Sequence, residues 1–197
     1  MFNLKFALSY FFHQLKAINR HGLHSPFVYR LVDEVIYDFS NKKVYTDLEK
    51  ALQPRKKLNA ADKLLYRLTA DWQPDNISVI GKCTPFDQLV LNRAAPQSNL
   101  FENQPQQIEN FSDAHTLIFI DAAINSQLNQ EDLRQLLATL RSGAVLIVKN
   151  NHQNNKAYAL WKLIKAAPHV TVSIDLFWLG LIYYRPGQVK EDFFIKF

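Results

Sequence analysis

Residues 116–150 read TLIFIDAAINSQLNQEDLRQLLATLRSGAVLIVKN, and their pattern decides the architecture. Thr116–Ile120 is a short apolar run that ends on Asp121. After a polar loop, Leu133, Leu136, Leu137 and Leu140 recur at helical spacing, which gives a helix one apolar face. Asn129 stands in the capping position with Asp132 three residues on, and Gly143 offers the left-handed geometry that closes a helix. Ala144–Val148 is then apolar without alternation, the composition of a parallel strand covered on both faces. A strand, a helix and a strand in that order form one crossover unit of a parallel sheet.

The same alternation extends in both directions. Upstream, Ile77–Ile80 is a strand pattern ending at Gly81, Pro85 begins a helix that continues over Phe86–Asn92, and Leu100-Phe101-Glu102 forms a weaker strand. Downstream, a helix with Trp161 and Ile164 on its inner side ends at Pro168, and Val170–Ile174 is the next strand. Leu181–Tyr184 follows after a turn containing Gly180, Pro186-Gly187 breaks the run, and Phe193–Phe197 adds a terminal edge strand or docks irregularly. Repeated strand–helix alternation with one short strand-to-strand turn predicts an α/β, Rossmann-like fold: a mostly parallel sheet with an antiparallel C-terminal strand.

No strand pattern precedes residue 77. Leu4, Leu8, Phe11, Leu15 and Ile18 form one apolar stripe of a helix, widened by Tyr10 and Phe12. That stripe can pack onto the domain, onto a second subunit or along a membrane surface, and the pattern does not choose. The helix ends near His21-Gly22, and Ser25-Pro26 launches another, with serine as cap and proline at the first helical position. Further helices are expected over Thr46–Leu52 and Ala60–Leu68. Residues 1–72 thus read as a helical elaboration of a single domain whose α/β core is 73–197.

Composition narrows the class. Hydrophobic residues at 48% and only 5 Gly and 8 Pro describe a globular chain, not a disordered one. One cysteine, Cys83, excludes an internal disulfide framework and a multi-thiolate metal site. The longest apolar stretch, Val170–Tyr184, is too short to span a membrane and contains Asp175, and Phe2–Leu15 lacks a cleavage signature, so a cytoplasmic protein is expected. The net charge of +5 favours anionic partners, but its lysines and arginines are scattered and no nucleic-acid-binding motif accompanies them.

In an open α/β sheet, ligands bind outside the C-terminal ends of the strands. Gly81, Glu102, Asp121 and Lys149-Asn150 occupy those ends. Glu102 lies close to the distance after Gly81 at which a carboxylate can meet a cofactor ribose. The stretch Gly81-Lys82-Cys83-Thr84-Pro85 has a single glycine, so the open dinucleotide loop is missing. His152 is a candidate base or a packed loop histidine. Lys149 either neutralises an anionic acceptor or closes the strand in solvent. His21 and His24 fall at a helix joint, where hydrogen bonding is expected. Cys83 is a small neutral loop or core residue, or an exposed nucleophile near a helix start, and Asp175, inside an apolar strand, requires hydrogen-bond partners.

Two stretches resemble a known family. Asn19-Arg20-His21-Gly22-Leu23-His24-Ser25-Pro26-Phe27-Val28-Tyr29 is similar to R-H-G-x-H-S-P-F-x-[FY], and Val172–Tyr184 is similar to T-I-D-L-F-x-x-G-[IL]-x-[FY]-[FY]; both belong to class I S-adenosylmethionine-dependent methyltransferases of Bacteroidetes. The resemblance implies S-adenosylmethionine as cofactor, with Gly81, Glu102 and Asp121 as its contacts and a small-molecule acceptor. Between those stretches the chain departs from the family. Val79–Pro85 stands where the family has E-L-G-T-S-x-G, Ala122-Ala123-Ile124 replaces Gly-Asn-His after the aspartate, and Lys149-Asn150-Asn151-His152 replaces D-D-I-H. A lysine and an amide in place of two carboxylates imply that no divalent metal assists the reaction. The expectation is therefore a methyltransferase with an unknown acceptor and no metal, with Lys149 and His152 as catalytic candidates. The alternative is a catalytically degenerate relative that binds a protein partner or its own copy.

Overall fold

The computed structural model describes residues 4–51, 57–103, 115–125, 128, 130–138, 140 and 144–197. Helices α1 (Leu4–Lys16), α2 (Pro26–Arg30), α3 (Lys43–Ala51) and α4 (Ala60–Trp72) precede the first strand. The core follows as β1 (Asn76–Ile80), α5 (Pro85–Ala94), β2 (Asn99–Asn103), β3 (Thr116–Asp121), α6 (Gln130–Ala138), β4 (Ala144–Lys149) and α7 (Asn155–Ala166). Strands β5 (Val172–Asp175), β6 (Leu179–Tyr183) and β7 (Glu191–Phe194) complete it. The proposed caps at Asn129 and Gly143 lie outside the described residues.

The helix starts follow local chemistry. Ser25 accepts from Val28 N–H and Thr84 from Asp87 N–H, each with proline in the first turn behind it. Asn59 caps α4 and Asn154 caps α7 in the same way. The chain beyond α2 continues as one turn of π-type helix, Leu31–Ile36. Arg67 of α4 holds that turn by donating to the carbonyls of Val35 and Ile36 at 2.7 and 3.0 Å.

The strands form one sheet in the order β2-β1-β3-β4-β6-β5-β7. β6 runs antiparallel to β4 and β5, and the other pairs are parallel. From β1 the chain moves to β2 on one side and returns as β3 on the other, so the order reverses between β1 and β3. One sheet face packs under α4, α5 and the N-terminal helices through residues such as Leu64, Leu65, Val90, Leu117 and Ile147. The other packs under α6 and α7 through Leu133, Leu136, Leu160 and Trp161. Both faces are covered, which accounts for the unbroken burial of β3 and nearly all of β4.

One expectation is corrected, and one alternative left open is decided. Gly180 is not in a turn but inside β6, opposite Val148 and Asp175, because any Cβ there would collide with the Trp161 ring. The α1 stripe does not face the domain: Leu4, Leu8, Phe11, Phe12 and Leu15 are exposed. The inner face of α1 instead carries buried His13 and half-buried Phe6, whose ring meets Phe177 and Trp178. Hydrogen bonding to a buried carboxylate decides the orientation, and the larger apolar surface is left outside.

Candidate functional site

At the switch between β1 and β3, Gly81 leaves β1 with φ 71°, a left-handed conformation natural to glycine. Its missing side chain makes room for Asn125, whose amide oxygen accepts from Lys82 N–H at 2.8 Å. The Asn125 amide nitrogen donates to the carbonyls of Lys82 at 2.6 Å and Asp121 at 3.0 Å, tying the β1 turn to the end of β3. Glu102 stands exposed at the end of neighbouring β2 and accepts from the Gln88 amide of α5.

Asp121 ends β3 almost fully buried. Asn150 donates to its two carboxylate oxygens at 3.1 and 3.0 Å, and Ala123 N–H donates at 3.0 Å. Asn150 reaches back because its backbone is left-handed, φ 59°, a conformation asparagine tolerates better than most residues. Burial raises the Asp121 pKa; the Asn150 and Ala123 hydrogen bonds oppose that rise, and Asp87 adds to it.

Lys149 is paired across the sheet with Asp121, but its ammonium points elsewhere. It lies 2.9 Å from Asp62 and 2.5 Å from Asp87, both buried. Each carboxylate sits in the first turn of its helix, three residues after the cap: Asn59 before Asp62 and Thr84 before Asp87. Carboxylates are favoured there by the helix dipole, and the two helix starts aim them at one cation. Burial would lower the Lys149 pKa, yet Asp87 and Asp62 outweigh it and hold the ammonium above its ordinary range. Two carboxylates around one ammonium leave an excess negative charge.

That excess is felt at Cys83, a half-buried thiol in the β1 turn. Its pKa is pushed up to about 11, first by burial and then by Asp87, Glu102 and Asp121. Cys83 is thereby a neutral thiol, unlike an activated nucleophile. Acidic side chains from α5, β2 and β3 thus converge on the switch point. A cavity of about 440 Å³ between Gln73, Pro74, Ala95 and Ser98 lies at the opposite ends of β1 and β2, away from these groups.

His152 sits farther along the same sheet edge, against Asp175 at the end of β5. Its Nε2 donates to Asp175 at 2.9 Å and its Nδ1 lies 3.4 Å from the Ser9 hydroxyl of α1. Asp175 also accepts from Trp161 Nε1 at 2.7 Å, Phe177 N–H at 3.0 Å and Asn151 at 3.3 Å. His13 Nε2 lies 3.3 Å from its carboxylate and 3.0 Å from its carbonyl oxygen. Burial alone would raise the Asp175 pKa, but hydrogen bonds from His13 and His152 overcome it and hold the carboxyl far below the usual range.

The structure therefore brings Gly81, Glu102 and Asp121 to the C-terminal ends of three adjacent strands and puts both Lys149 and His152 into internal pairs. His21 and His24 are at the surface. Among the described residues, no three His, Cys, Asp or Glu side chains are arranged to hold a metal ion. Sequence reasoning missed Asp62, Asp87, Asn125, Gln88 and His13. The only available signal was the spacing Asn59–Asp62 and Thr84–Asp87, which reads as capping and hides a second role.

No protein-family model and no curated protein matches the chain. Among solved structures, the SAH-bound methyltransferase PaMTH1 of Podospora anserina is similar at 10% identity and TM-score 0.49, covering 83% of this chain and 97% of that one. The O-methyltransferase TomG of Streptomyces achromogenes, in complex with SAM, is similar at 16% identity and TM-score 0.42, covering 80% and 94%. Cofactor-bound Rv0187 from MTB is similar at 20% identity and TM-score 0.45, covering 72% and 88%.

Proposed function

We propose that the chain binds S-adenosylmethionine at the β1–β3 switch point and transfers its methyl group to a small-molecule acceptor without a metal. The observation that carries this reading is that Asp87, Glu102 and Asp121 all act on Cys83, while the Lys149 ammonium is shared between Asp87 and Asp62. An excess of carboxylates at these strand ends favours a cation, and S-adenosylmethionine presents a sulfonium and an ammonium. Glu102, the exposed carboxylate at the β2 end, is assigned the ribose hydroxyls; Asp121 and the Gly81 turn form the wall. The cofactor supplies a methyl group already activated for transfer, leaving the protein to bind, align and exclude water. Lys149 supplies fixed positive charge between Asp62 and Asp87, so these carboxylates are not free to hold a divalent ion. In this reading Lys149 and His152 position their surroundings and take no proton from the acceptor.

A second reading, a non-catalytic protein that keeps the fold, is favoured by Asn125. Its side chain already fills the space beside Gly81, and Asn150 engages both oxygens of Asp121. Calorimetric titration of the intact protein with S-adenosylmethionine and S-adenosylhomocysteine separates the two. Saturable binding, weakened about tenfold in Glu102→Ala by loss of a charged hydrogen bond, supports the first. No saturable heat with folded protein selects the second, and unchanged affinity in Glu102→Ala rejects the ribose assignment.

A further inference from the structure

Helix α1 is apolar on two opposite sides. Its inner side is fastened by Phe6 against Phe177 and by His13 against Asp175. Its outer side carries Leu4, Leu8, Phe11, Phe12 and Leu15, exposed by 66, 48, 56, 58 and 67%. At helical spacing these five fall within an arc of about 100° centred opposite His13. Isolated exposed apolar side chains are ordinary, whereas a continuous stripe of this size marks an interaction surface.

The charges that the helices themselves carry beside the stripe are of one sign. Lys5 and Lys16 lie on the flank that also carries Ser9, the side facing the start of α7. Helix α7 extends the surface with exposed Lys156 and Lys162 beside exposed Tyr158 and Leu163. Lys16 from α1 and Lys165 from α7 both lie over the Phe194 ring, which links the two helices; Lys165 is also 3.5 Å from Asp192 of β7, so the free positive charge rests on Lys5, Lys16, Lys156 and Lys162. Neither helix contains an aspartate or a glutamate.

We propose that the joint α1–α7 face docks on an anionic lipid bilayer, with the leucine and phenylalanine stripe entering the headgroup boundary and the lysines meeting lipid phosphates and carboxylates. Aromatic and aliphatic side chains bordered by lysine are the chemistry of a helix lying in that interface. No described helix is long and apolar enough to cross a membrane, so the contact is along the surface. Charge also disfavours a second copy as the occupant. Antiparallel self-pairing through the stripe brings Lys5 of one helix beside Lys16 of the other, with no carboxylate on either helix to separate them. The surface is distinct from the β1–β3 switch point and does not depend on methyl transfer.

The test is co-sedimentation of the full chain with vesicles of equimolar phosphatidylcholine and phosphatidylserine, against vesicles of phosphatidylcholine alone. Binding is expected to the first, to fall in high salt, and to be lost in Leu8→Glu/Phe12→Glu, whose side chains face outward and leave the core intact by circular dichroism. Lys156→Ala/Lys162→Ala should lower the partition coefficient about 25-fold, as two lysines at an anionic surface imply. No binding to the mixed vesicles overturns the proposal, as does equal, salt-independent binding to both. Solution mass measurement gives the remaining outcome: a dimer dissociated by Leu8→Glu/Phe12→Glu, without vesicle binding, assigns the stripe to a second copy and overturns it too.

Discussion

Asp121 and Asp175 end parallel strands on the same edge of one sheet, both nearly inaccessible, yet their surroundings push them in opposite directions. Asp175 collects donors from α1, α7 and the β5–β6 turn, so its charge is answered from every side. Asp121 receives neutral amides and feels Asp87 as a like charge. The first arrangement stores stability in an ion; the second keeps a negative charge where folding does not favour it. A carboxylate answered by surrounding donors anchors the fold, whereas one held against burial and a like charge contributes less to stability. The edge is thereby divided into an end at β5 where the charge is answered and an end at β3 where it is not, the second being the one proposed to face the cofactor.

The sharpest break of that comparison is at the β5 end. Removing the Asp175 carboxylate leaves buried donors on His152, Trp161 and Asn151 unanswered, and Asp175→Ala should cost about 3–5 kcal/mol in urea unfolding. The pH dependence follows from the direction of the shift. Because the folded pKa of Asp175 lies below its unfolded value, its stabilisation is present above about pH 4 and fades as pH falls below it. Stability measured from pH 6 to pH 2 should drop along an acid limb that Asp175→Ala lacks.

The next largest effect is expected at Lys149. Lys149→Met leaves Asp62 and Asp87 facing each other without their cation, a loss of about 3 kcal/mol for a buried charge stripped of its partner. Adding Asp87→Asn should recover part of that loss, and no recovery would show that the pair is not electrostatic. At the β1–β3 end the effects on stability are small. Glu102→Ala touches an exposed side chain and should shift unfolding by less than about 0.5 kcal/mol, while acting on ligand binding. Cys83 should be alkylated by iodoacetamide at pH 8 about 100-fold more slowly than an unperturbed thiol, since so little is thiolate. Glu102→Gln should narrow that gap.

Most of the architecture was legible because burial on both sheet faces writes itself as apolar runs: Ile77–Ile80, Thr116–Ile120 and Ala144–Val148 all became strands. Proline and caps located the starts of α2 and α5, and Asp175 was correctly expected to have partners. Long-range pairing left no such trace. Lys149 meets carboxylates 87 and 62 residues away, and nothing around Asp62 or Asp87 distinguishes an ion pair from a helix cap. Helix α1 was legible as amphipathic but not in its orientation, because the single polar residue that fixes it, His13, is outweighed in the pattern by the outward leucines and phenylalanines. Gly180 suggested a turn because its reason, the Trp161 ring, lies on another element.

The division of the edge is tested most directly by urea unfolding of Asp121→Asn and Asp175→Asn side by side at neutral pH. Asp175→Asn should lose at least about 3 kcal/mol, because an amide turns a donor toward His152 and Trp161. Asp121→Asn should stay within about 1 kcal/mol of the unaltered chain, or gain, because it sheds a charge that burial and Asp87 oppose while keeping an acceptor for Asn150 and Ala123. Equal losses, or a larger loss at Asp121, would contradict the account.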